Sequence, residues 1–403
     1  MPASFGRRGQ RAPAGSRVII EIKGAQFANK GAHLMLLAVL ERLRVRLPRA
    51  EIALSPGPAS SYRERARLGA WQKLPLRRGT LDLTGIGYRW PDALDRALGR
   101  YGIVTEARID ALLDVSGFAY GDRWGGVAAV HAAAELDRFH RRGKPYLFLP
   151  QAFGPFSDPA MRRFGVALPQ AALVCARDGE SLEHLLRLNP ALTSSVIRCP
   201  DLTIGVAGDV DAAVRWGIGS KTVLVIPNVR MLDSGKGART WQPAYLPLLE
   251  ALVAECGRRG FGVRIVNHAG VEDAALCTSL ARSTGGLAVV DEGDPLALKG
   301  LIGASAAVIS SRYHGCVNAL SQGVPCIGTS WSHKYGALFG EFGRGDWLVT
   351  EPDIPRAKVL LGSLLEHGSD RSEPAAGHRE SLAARVDRMW DTVFEILSAR
   401  AGR

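Results

Sequence analysis

Residues Ala306–Phe339 read AAVISSRYHGCVNALSQGVPCIGTSWSHKYGALF, and this stretch decides the fold of the second half of the chain. Its apolar segment Ala307–Ile309 predicts a short strand, which is followed by a polar loop, a helix and a second apolar strand at Pro325–Gly328. Strands that alternate with helices in this way predict a parallel sheet. Ligands bind such a sheet at the carboxyl edge of its strands, so the loops after both strands are the candidate site.

These two loops are rich in cationic side chains. Arg312 and His314 follow the first strand, and Lys334 follows the second. A guanidinium binds phosphate or carboxylate through two parallel hydrogen bonds, an imidazole exchanges protons near neutral pH, and an ammonium supplies a point charge. The start of the helix adds unpaired N–H groups that favour an anion. The pattern predicts a site for a small anion; the alternative is a helix-capping cluster beside a surface arginine and lysine.

The same alternation of strands and helices runs through the rest of the chain and predicts two α/β domains. Helix Lys30–Arg46, for example, carries Leu36, Leu40 and Leu43 on one face. Residues 201–220 are rich in Gly, Ala and Asp and have weak periodicity, which indicates a connection between domains. Packing of the last helix on the first domain is one option. We expect a disordered basic tail (1–16), an N-terminal Rossmann-like domain (17–205), a linker (206–220), a C-terminal Rossmann-like domain (221–380) and a C-terminal helix (381–403).

The composition is that of a globular protein, and the charge favours anionic partners. The chain has 46% hydrophobic and 22% charged residues and a formal net charge of +12. Because it shows neither zinc-finger spacing nor interleaved aromatic and basic residues, we expect no nucleic-acid partner. The six cysteines form no C-x-x-C pair, which indicates reduced thiols. No apolar run approaches the ~18 residues of a membrane span. We expect a cytoplasmic protein, and a position at the inner face of the membrane stays open.

In its motifs and their order, the chain resembles the polysaccharide pyruvyl transferase family. The resemblance rests on Arg312-x-His314 at the strand–helix junction, with Lys334 in the next loop. Many family members carry an acidic residue close after the first-strand motif, where this chain has Ala32 and His33, so we expect no acidic role there. Shorter similar motifs are Asn29-Lys30-Gly31, DVSGFAYGDRWGG at Asp114–Gly126, QAFGP at Gln151–Pro155, Arg177-Asp178, Pro200-Asp201 and Arg230 after strand Thr222–Ile226.

The resemblance implies a glycosyltransferase-B-like fold, in which two doubly wound Rossmann-like domains face a cleft. It also implies transfer of the pyruvyl group of phosphoenolpyruvate onto two sugar hydroxyls as a cyclic ketal, with the acceptor on the N-terminal side. Phosphoenolpyruvate is then a co-substrate, and no cofactor or metal is expected. Arg312, Lys334 and Arg230 would bind it, and His314 would be the general acid or base. The partner is a saccharide acceptor; a lipid-linked acceptor and peripheral membrane association stay open.

The remaining motifs imply roles on the acceptor side. Asp122 is the candidate base for a sugar hydroxyl, and the alternative is that it caps the following helix. Asn29 and Gln151 are the candidate ligands for substrate, although the Gly-Pro after Gln151 is chiefly a turn device. We interpret Arg177-Asp178 and Pro200-Asp201 as structural, with Asp178 as a helix N-cap.

Two other functions stay open. One is a nucleotide-sugar-dependent glycosyltransferase or an epimerase of the same two-domain shape. Retaining glycosyltransferases of this kind often carry a Glu pair eight residues apart, whereas here Glu341 is followed by Val349 at that spacing. Asp209-Val210-Asp211 is a nominal D-x-D motif, but it falls in the predicted linker. The other function is a non-catalytic scaffold that binds glycans or phosphate, because fold alone does not fix function.

Overall fold

A computed structural model of the chain describes residues 18–159, 161–233, 241–330, 332–367 and 374–401. The predicted basic tail (1–16) lies outside the described residues. The strands are, in chain order, β1 (Ile19–Lys23), β2 (Glu51–Leu54), β3 (Trp71–Lys73), β4 (Arg77–Arg78), β5 (Leu81–Asp82), β6 (Ile103–Val104), β7 (Ala111–Asp114), β8 (Tyr146–Gln151), β9 (Leu173–Ala176), β10 (Val196–Arg198), β11 (Thr222–Ile226), β12 (Gly262–Val266), β13 (Val289–Val290), β14 (Ala307–Ser310), β15 (Cys326–Thr329) and β16 (Leu348–Val349).

Helices separate most of these strands. The α-helices are α1 (Lys30–Arg46), α2 (Tyr62–Arg67), α3 (Asp92–Gly99), α4 (Val127–Arg141), α5 (Met161–Ala167), α6 (Gly179–Leu188), α7 (Asp211–Trp216), α8 (Tyr245–Arg258), α9 (Val271–Ser283), α10 (Pro295–Ala304), α11 (Tyr313–Ser321), α12 (His333–Glu341), α13 (Ile354–His367) and α14 (Pro374–Ala401). Short 3-10 helices lie at Thr84–Arg89, Glu106–Arg108, Asp122–Trp124, Leu168–Gln170, Pro190–Ser194, Val229–Leu232 and Gly345–Trp347.

The first domain is built on an eight-stranded sheet with the order β10-β9-β8-β7-β1-β2-β3-β6. Every neighbouring pair in it is parallel. From β1 the chain first adds strands on one side and then returns to add β7 on the other side. The winding direction therefore reverses between β1 and β7, and ligands of open α/β sheets bind at such a switch point.

The second domain repeats this plan with six parallel strands in the order β13-β12-β11-β14-β15-β16. In chain order this is the 3-2-1-4-5-6 arrangement of doubly wound sheets. Its switch point lies between β11 and β14. The prediction of two doubly wound Rossmann-like domains is confirmed.

Apolar side chains cover both faces of each sheet. On one face of the first sheet, Leu36, Leu40 and Leu43 of α1 pack in a cluster with Trp390 and Phe394 of α14. Helix α14 therefore lies on the first domain, although its earlier residue Leu382 packs in a cluster of the second domain. An ion pair between Arg42 and Asp387, with 2.6 Å between nitrogen and oxygen, adds to the contact.

The segment predicted as a linker, 206–220, contains helix α7. Ala212 and Ala213 of this helix are buried in the second domain, in the same cluster as Leu298 of α10. A Cβ atom at Gly300 would overlap the carbonyl of Asp209, so the two segments are in backbone contact. The small residues of this segment therefore serve close packing, and much of it belongs to the core of the second domain.

Candidate functional site

The switch points of both sheets border one pocket of about 690 Å³ between the domains. The first domain lines it with Asn29 after β1 and with Ser116–Phe118 after β7. The second domain contributes Arg230 after β11 and the stretch Arg312–His314 after β14. The pocket is therefore formed by strand ends of both domains, at the positions where doubly wound sheets bind ligands.

A buried hydrogen-bond network fixes the end of β14. The carbonyl of Ser311 accepts hydrogen bonds from Tyr335 Oη at 2.7 Å and from Asn228 Nδ2 at 2.9 Å. The Ser311 hydroxyl is bonded to Tyr245 and to Thr329. Because β11, β14, β15 and helices α8 and α12 all contribute, the backbone that carries Arg312 and His314 is held rigidly.

His314 reaches across the cleft to the first domain. Its Nε2 atom lies 3.5 Å from Oδ2 of Asp201, an ion-pair distance with no direct hydrogen bond. Its ring packs on the first turn of α1, where a Cβ atom at Gly31 would overlap the imidazole. Only glycine at position 31 leaves room for the ring, so the family-like Asn29-Lys30-Gly31 motif accommodates His314.

Asp201 is a buried carboxylate with several partners. Arg177 Nη1 donates to its Oδ2 at 3.2 Å, and Thr203 donates to Oδ1 through its backbone nitrogen at 3.0 Å and its hydroxyl at 2.7 Å. Burial alone would raise the pKa of Asp201, but His314, Arg177 and the bond from Thr203 bring it well below the ordinary value. Asp201 therefore stays ionised and presents a fixed negative charge to His314.

Two cations flank the ring of Tyr313 at the pocket. The guanidinium carbon of Arg177 lies 4.2 Å from the ring centroid, and Nζ of Lys334 lies 5.1 Å from it. The rings of Phe118 and Tyr335 also face Lys334 Nζ, at 5.6 and 5.7 Å. Aromatic faces attract cations, so these rings stabilise the guanidinium of Arg177 and the amino group of Lys334 where they lie.

The amino group of Lys334 is electrostatically disfavoured as a cation. Burial, followed by the charges of Arg177, Arg123 and Arg312, lowers the pKa of Lys334 to about 7, against a modest opposing effect of Asp178. A nearby anion would raise the pKa of Lys334 again, because it stabilises the charged form of the amine. The pocket therefore favours a negatively charged ligand.

Arg312 is held by two carboxylates of helix α9. Its Nε donates to Asp273 Oδ2 at 2.8 Å, and its Nη2 donates to Glu272 Oε2 at 2.9 Å and to Asp273 Oδ1. Burial would lower the pKa of Arg312, but the bonds and charges of Asp273 and Glu272 raise it. Arg230 binds the other oxygen of Glu272. Arg312 and Arg230, which the sequence predicts to bind an anion, therefore both line the pocket. The acidic side chains of α9 neutralise part of their charge.

Asn29 lines the pocket and caps helix α1. Its Oδ1 accepts hydrogen bonds from the backbone nitrogens of Gly31 at 3.0 Å and Ala32 at 3.4 Å. This is the usual geometry of an asparagine N-cap. The capped turn is the one that meets His314.

Asp122 and Gln151 do not line the pocket. The Asp122 carboxylate accepts bonds from the backbone nitrogens of Ser157 and Asp158 and from the Ser157 hydroxyl. Slight burial opposes them, but these bonds bring the pKa of Asp122 below its ordinary value. Gln151 is buried, and its Nε2 donates to the carbonyl of Asp114 at 3.4 Å. Asp122 therefore fixes a turn, and Gln151 lies inside the sheet.

Aromatic side chains lie on the first-domain side of the pocket. Phe118 and Trp124 line it and meet edge to face, with ring centroids 6.1 Å apart. Arg123, beside them, lies 3.6 Å from Asp233 of the second domain. Flat aromatic faces next to polar groups are suited to a sugar ring.

His268 also lines the pocket, and it was not singled out from the sequence. Its side chain is 1% exposed, and neither ring nitrogen has a hydrogen-bond partner among the described residues. Burial, then the charges of Arg312, His314 and Lys30, lower the pKa of His268 well below the ordinary value. The imidazole is therefore neutral, with one N–H donor and one acceptor.

Sequence reasoning also placed Arg177 in a structural role, whereas the side chain reaches the pocket. The signal for both residues was position, since Arg177 directly follows β9 and His268 lies two residues after β12. Both are strand ends at the carboxyl edge. In the described parts of the chain, no group of three or more His, Cys, Asp or Glu side chains could hold a metal ion.

Solved structures that superpose on this chain include glycosyltransferases and UDP-GlcNAc 2-epimerases. The UDP-GlcNAc 2-epimerase from Neisseria meningitidis bound to UDP-GlcNAc superposes with a TM-score of 0.57 at 13% identity, covering 94% of this chain and 100% of that one. A glycosyltransferase from Rickettsia africae superposes with a TM-score of 0.56 at 10% identity, covering 95% of this chain and 99% of that one. For UDP-glucose: anthocyanidin 3-O-glucosyltransferase in complex with UDP, the TM-score is 0.53 at 12% identity, and the match covers 96% of this chain and 100% of that one. These likenesses establish a glycosyltransferase-B-like fold.

The sequence model of the polysaccharide pyruvyl transferase family matches residues 29–333 of the 403. The chain therefore belongs to this family, which is a family of transferases. No curated protein sequence matches the chain at a significant level. Among the described residues, no helix is both long enough and apolar enough to cross a bilayer.

Proposed function

We propose that the protein transfers the pyruvyl group of phosphoenolpyruvate onto two hydroxyls of a saccharide, forming a cyclic ketal. The supporting observation is the convergence of Arg177, Lys334 and His314 from both domains on one pocket. Phosphoenolpyruvate carries a phosphate and a carboxylate on three carbons, so it needs several cations in a small space. A nucleotide sugar would instead present a diphosphate, a ribose and a base.

In the proposed binding mode, Lys334 and Arg177 contact the phosphate or carboxylate. Arg312 and Arg230, which share Glu272, contact the other anionic group of the donor. Because Arg312 is fixed by Asp273, its guanidinium needs no reorganisation when the donor arrives. The neutral imidazole of His268 adds an uncharged N–H donor.

The proposed reaction needs a proton on the methylene carbon of phosphoenolpyruvate. His314 supplies this proton, and C2 becomes electrophilic. One sugar hydroxyl then attacks C2, the C2–O bond to phosphate breaks, and a second hydroxyl closes the ketal ring. One of the two hydroxyl protons restores His314, and the other goes to the departing phosphate. Asp201 stays ionised beside His314 and stabilises its imidazolium form in this cycle.

The acceptor sugar is proposed to bind on the first-domain side. Trp124 and Phe118 offer aromatic faces there, and Asn29 lies at the neighbouring strand end. The sugar hydroxyls would then lie between these residues and His314. Asp122 has no part in this scheme, since its carboxylate serves the Ser157 turn.

Calorimetry of phosphoenolpyruvate binding tests the donor. We expect the wild type to bind it and Lys334→Gln to bind it at least about tenfold more weakly, as for loss of a charged hydrogen bond. Lys221→Gln is the matched control, because Lys221 lies over the Phe261 ring away from the pocket. Binding of UDP or UDP-GlcNAc without phosphoenolpyruvate would instead favour a nucleotide-sugar transferase or epimerase. Release of phosphate that requires both phosphoenolpyruvate and a saccharide tests the transfer itself.

A further inference from the structure

The segment between β3 and β6 carries an unusual concentration of exposed apolar side chains. Within residues 76–102 these exposures range from 41% for Leu94 to 76% for Tyr101, and Leu81, Leu83 and Ile86 lie between. The segment forms the β4–β5 hairpin, the 3-10 helix Thr84–Arg89 and helix α3. It lies beside β6, the edge strand of the first sheet. We call it the edge segment.

In the hairpin of the edge segment, apolar side chains face outward and an acidic side chain faces inward. A hairpin on the surface of a soluble protein usually has the opposite arrangement. Asp82 lies between Leu81 and Leu83, yet its side chain is only 6% exposed. Arg138 Nη2 contacts Asp82 Oδ2 at 3.0 Å, and Arg77 Nε lies 3.4 Å from Oδ1. The Asp82 carboxylate therefore faces the protein, while Leu81 and Leu83 face outward. A soluble face usually shows the opposite arrangement, so an outward apolar face of this kind indicates an interaction surface.

Helix α3 continues this outward apolar face. None of its residues is buried. Within the helix, Leu94 and Ala97 are three positions apart, so they lie on one side, and the exposed Tyr101 follows two residues after the helix ends. An apolar stripe on a helix that covers no core is typical of a helix that lies in a membrane interface.

The exposed charges of the edge segment are almost all positive. Arg78, Arg89, Arg96 and Arg100 are exposed, and Asp92 is the exposed acid. The other acids of the segment are turned inward, Asp82 to Arg138 and Asp95 to the Thr105 hydroxyl at 3.2 Å. Apolar side chains among arginines complement a surface with anionic head groups over a hydrocarbon layer.

We propose that the edge segment docks the protein on an anionic lipid bilayer. Leu83, Ile86 and Leu94 enter the head-group region, and the arginines contact lipid phosphates. The hairpin follows β3 at the carboxyl edge of the first sheet, the same edge that brings Ser116–Phe118 to the pocket. The inference deepens the proposed function, since it gives a membrane-borne saccharide a route to the acceptor side. The docking itself does not depend on the donor.

Vesicle co-sedimentation of the full chain tests the proposal. The probes are vesicles of phosphatidylcholine alone and vesicles in which part of it is replaced by phosphatidylglycerol. We expect binding to the anionic vesicles that weakens with added salt. The triple variant Leu83→Ser, Ile86→Ser, Leu94→Ser should bind at least about tenfold more weakly. Arg96→Ala should weaken binding about fivefold.

The matched control carries Val166→Ser, Val214→Ser and Val359→Ser, three valines elsewhere on the surface that are more exposed still, at 74% to 83%. It should bind vesicles as the wild type does. Absence of wild-type binding, full binding by the Leu83 triple variant, or equal loss in the control overturns the proposal. So does self-association of the wild type that this variant abolishes while vesicle binding persists. Phosphoenolpyruvate calorimetry on the same variants keeps the two hypotheses apart, since loss of docking should leave donor binding unchanged.

Discussion

His314 and Asp201 meet across the cleft, with 3.5 Å between Nε2 and Oδ2, and they belong to different domains. Asp201 is fixed by Thr203 and shared with Arg177. The imidazole is fixed from the other side by the glycine turn at the start of α1. The first domain therefore orients His314, the residue of the second domain for which we propose the proton transfer.

Asp201→Asn should reduce turnover while leaving donor binding intact. The asparagine keeps an oxygen for Thr203 but removes the charge that faces the His314 imidazolium, so we expect kcat to fall about 10- to 100-fold. Phosphoenolpyruvate should bind at least as tightly, because Arg177 loses a competing carboxylate. Steady-state kinetics with calorimetry separates the two effects. Asp209→Asn, at an exposed ion pair with Arg215, is the control. Weaker donor binding with unchanged kcat would contradict the assigned role.

Gly31→Ala should inactivate a folded protein. The added methyl group would overlap the His314 ring, so the ring must move away from Asp201. Alanine also favours the helix, which keeps the thermal midpoint near the wild-type value. Gly257→Ala in α8, where a Cβ atom meets nothing within 4 Å, is the matched control and should keep full activity. Full activity of Gly31→Ala would show that the position of the ring is unimportant.

Donor binding should be linked to protonation of Lys334. Burial and the neighbouring arginines lower the pKa of Lys334 to about 7, so the amine is mostly neutral at about pH 8. An anion stabilises the charged form, so binding must take up a proton. Affinity should therefore fall as pH rises above about 7. Calorimetry in buffers of different ionisation enthalpy measures this uptake.

The control for this linkage is Lys334→Arg. A guanidinium stays protonated over the whole range, so binding to this variant should take up no proton from position 334. Proton uptake equal to that of the wild type would place the titrating group elsewhere.

His268→Phe should affect function and stability in opposite directions. Phenylalanine preserves an aromatic ring but removes both nitrogens, so donor affinity or kcat should fall about tenfold. The thermal midpoint should stay or rise, because the change removes two buried polar atoms that have no hydrogen-bond partner in the described parts of the chain. His268→Gln, which keeps a donor, should retain part of the function. A fall in stability with unchanged kinetics would mean that the residue is structural.

The fold could be predicted well from the sequence because its strong elements are local. Helix α1 and strand β11 have the bounds that the apolar pattern predicted, Lys30–Arg46 and Thr222–Ile226. The short strands β3 and β6 were missed, since two or three residues carry no periodicity. The sequence predicts a linker where helix α7 lies, because small residues are typical of a flexible segment and nothing local shows that they pack on α10.

The site could be predicted only in part. That Arg312, His314 and Lys334 would meet followed from strand ends at one edge of a parallel sheet. Their partners did not follow, because Asp273 lies 39 positions from Arg312 and Asp201 lies in the other domain. Pairings over such distances depend on how the two domains face each other, which is a property of the whole fold.

The arrangement of charge in the pocket has a mechanical consequence. Arg123 and Arg177 belong to the first domain and Lys334 to the second, and the charges of both arginines disfavour the ammonium form of Lys334. The ion pair of Arg123 with Asp233 opposes this repulsion. The three cations repel one another, and an anion between them attracts all three. We therefore expect a bound donor to hold the two walls of the cleft together. The radius of gyration in solution should shrink when phosphoenolpyruvate is added, and the cleft should reopen once phosphate departs.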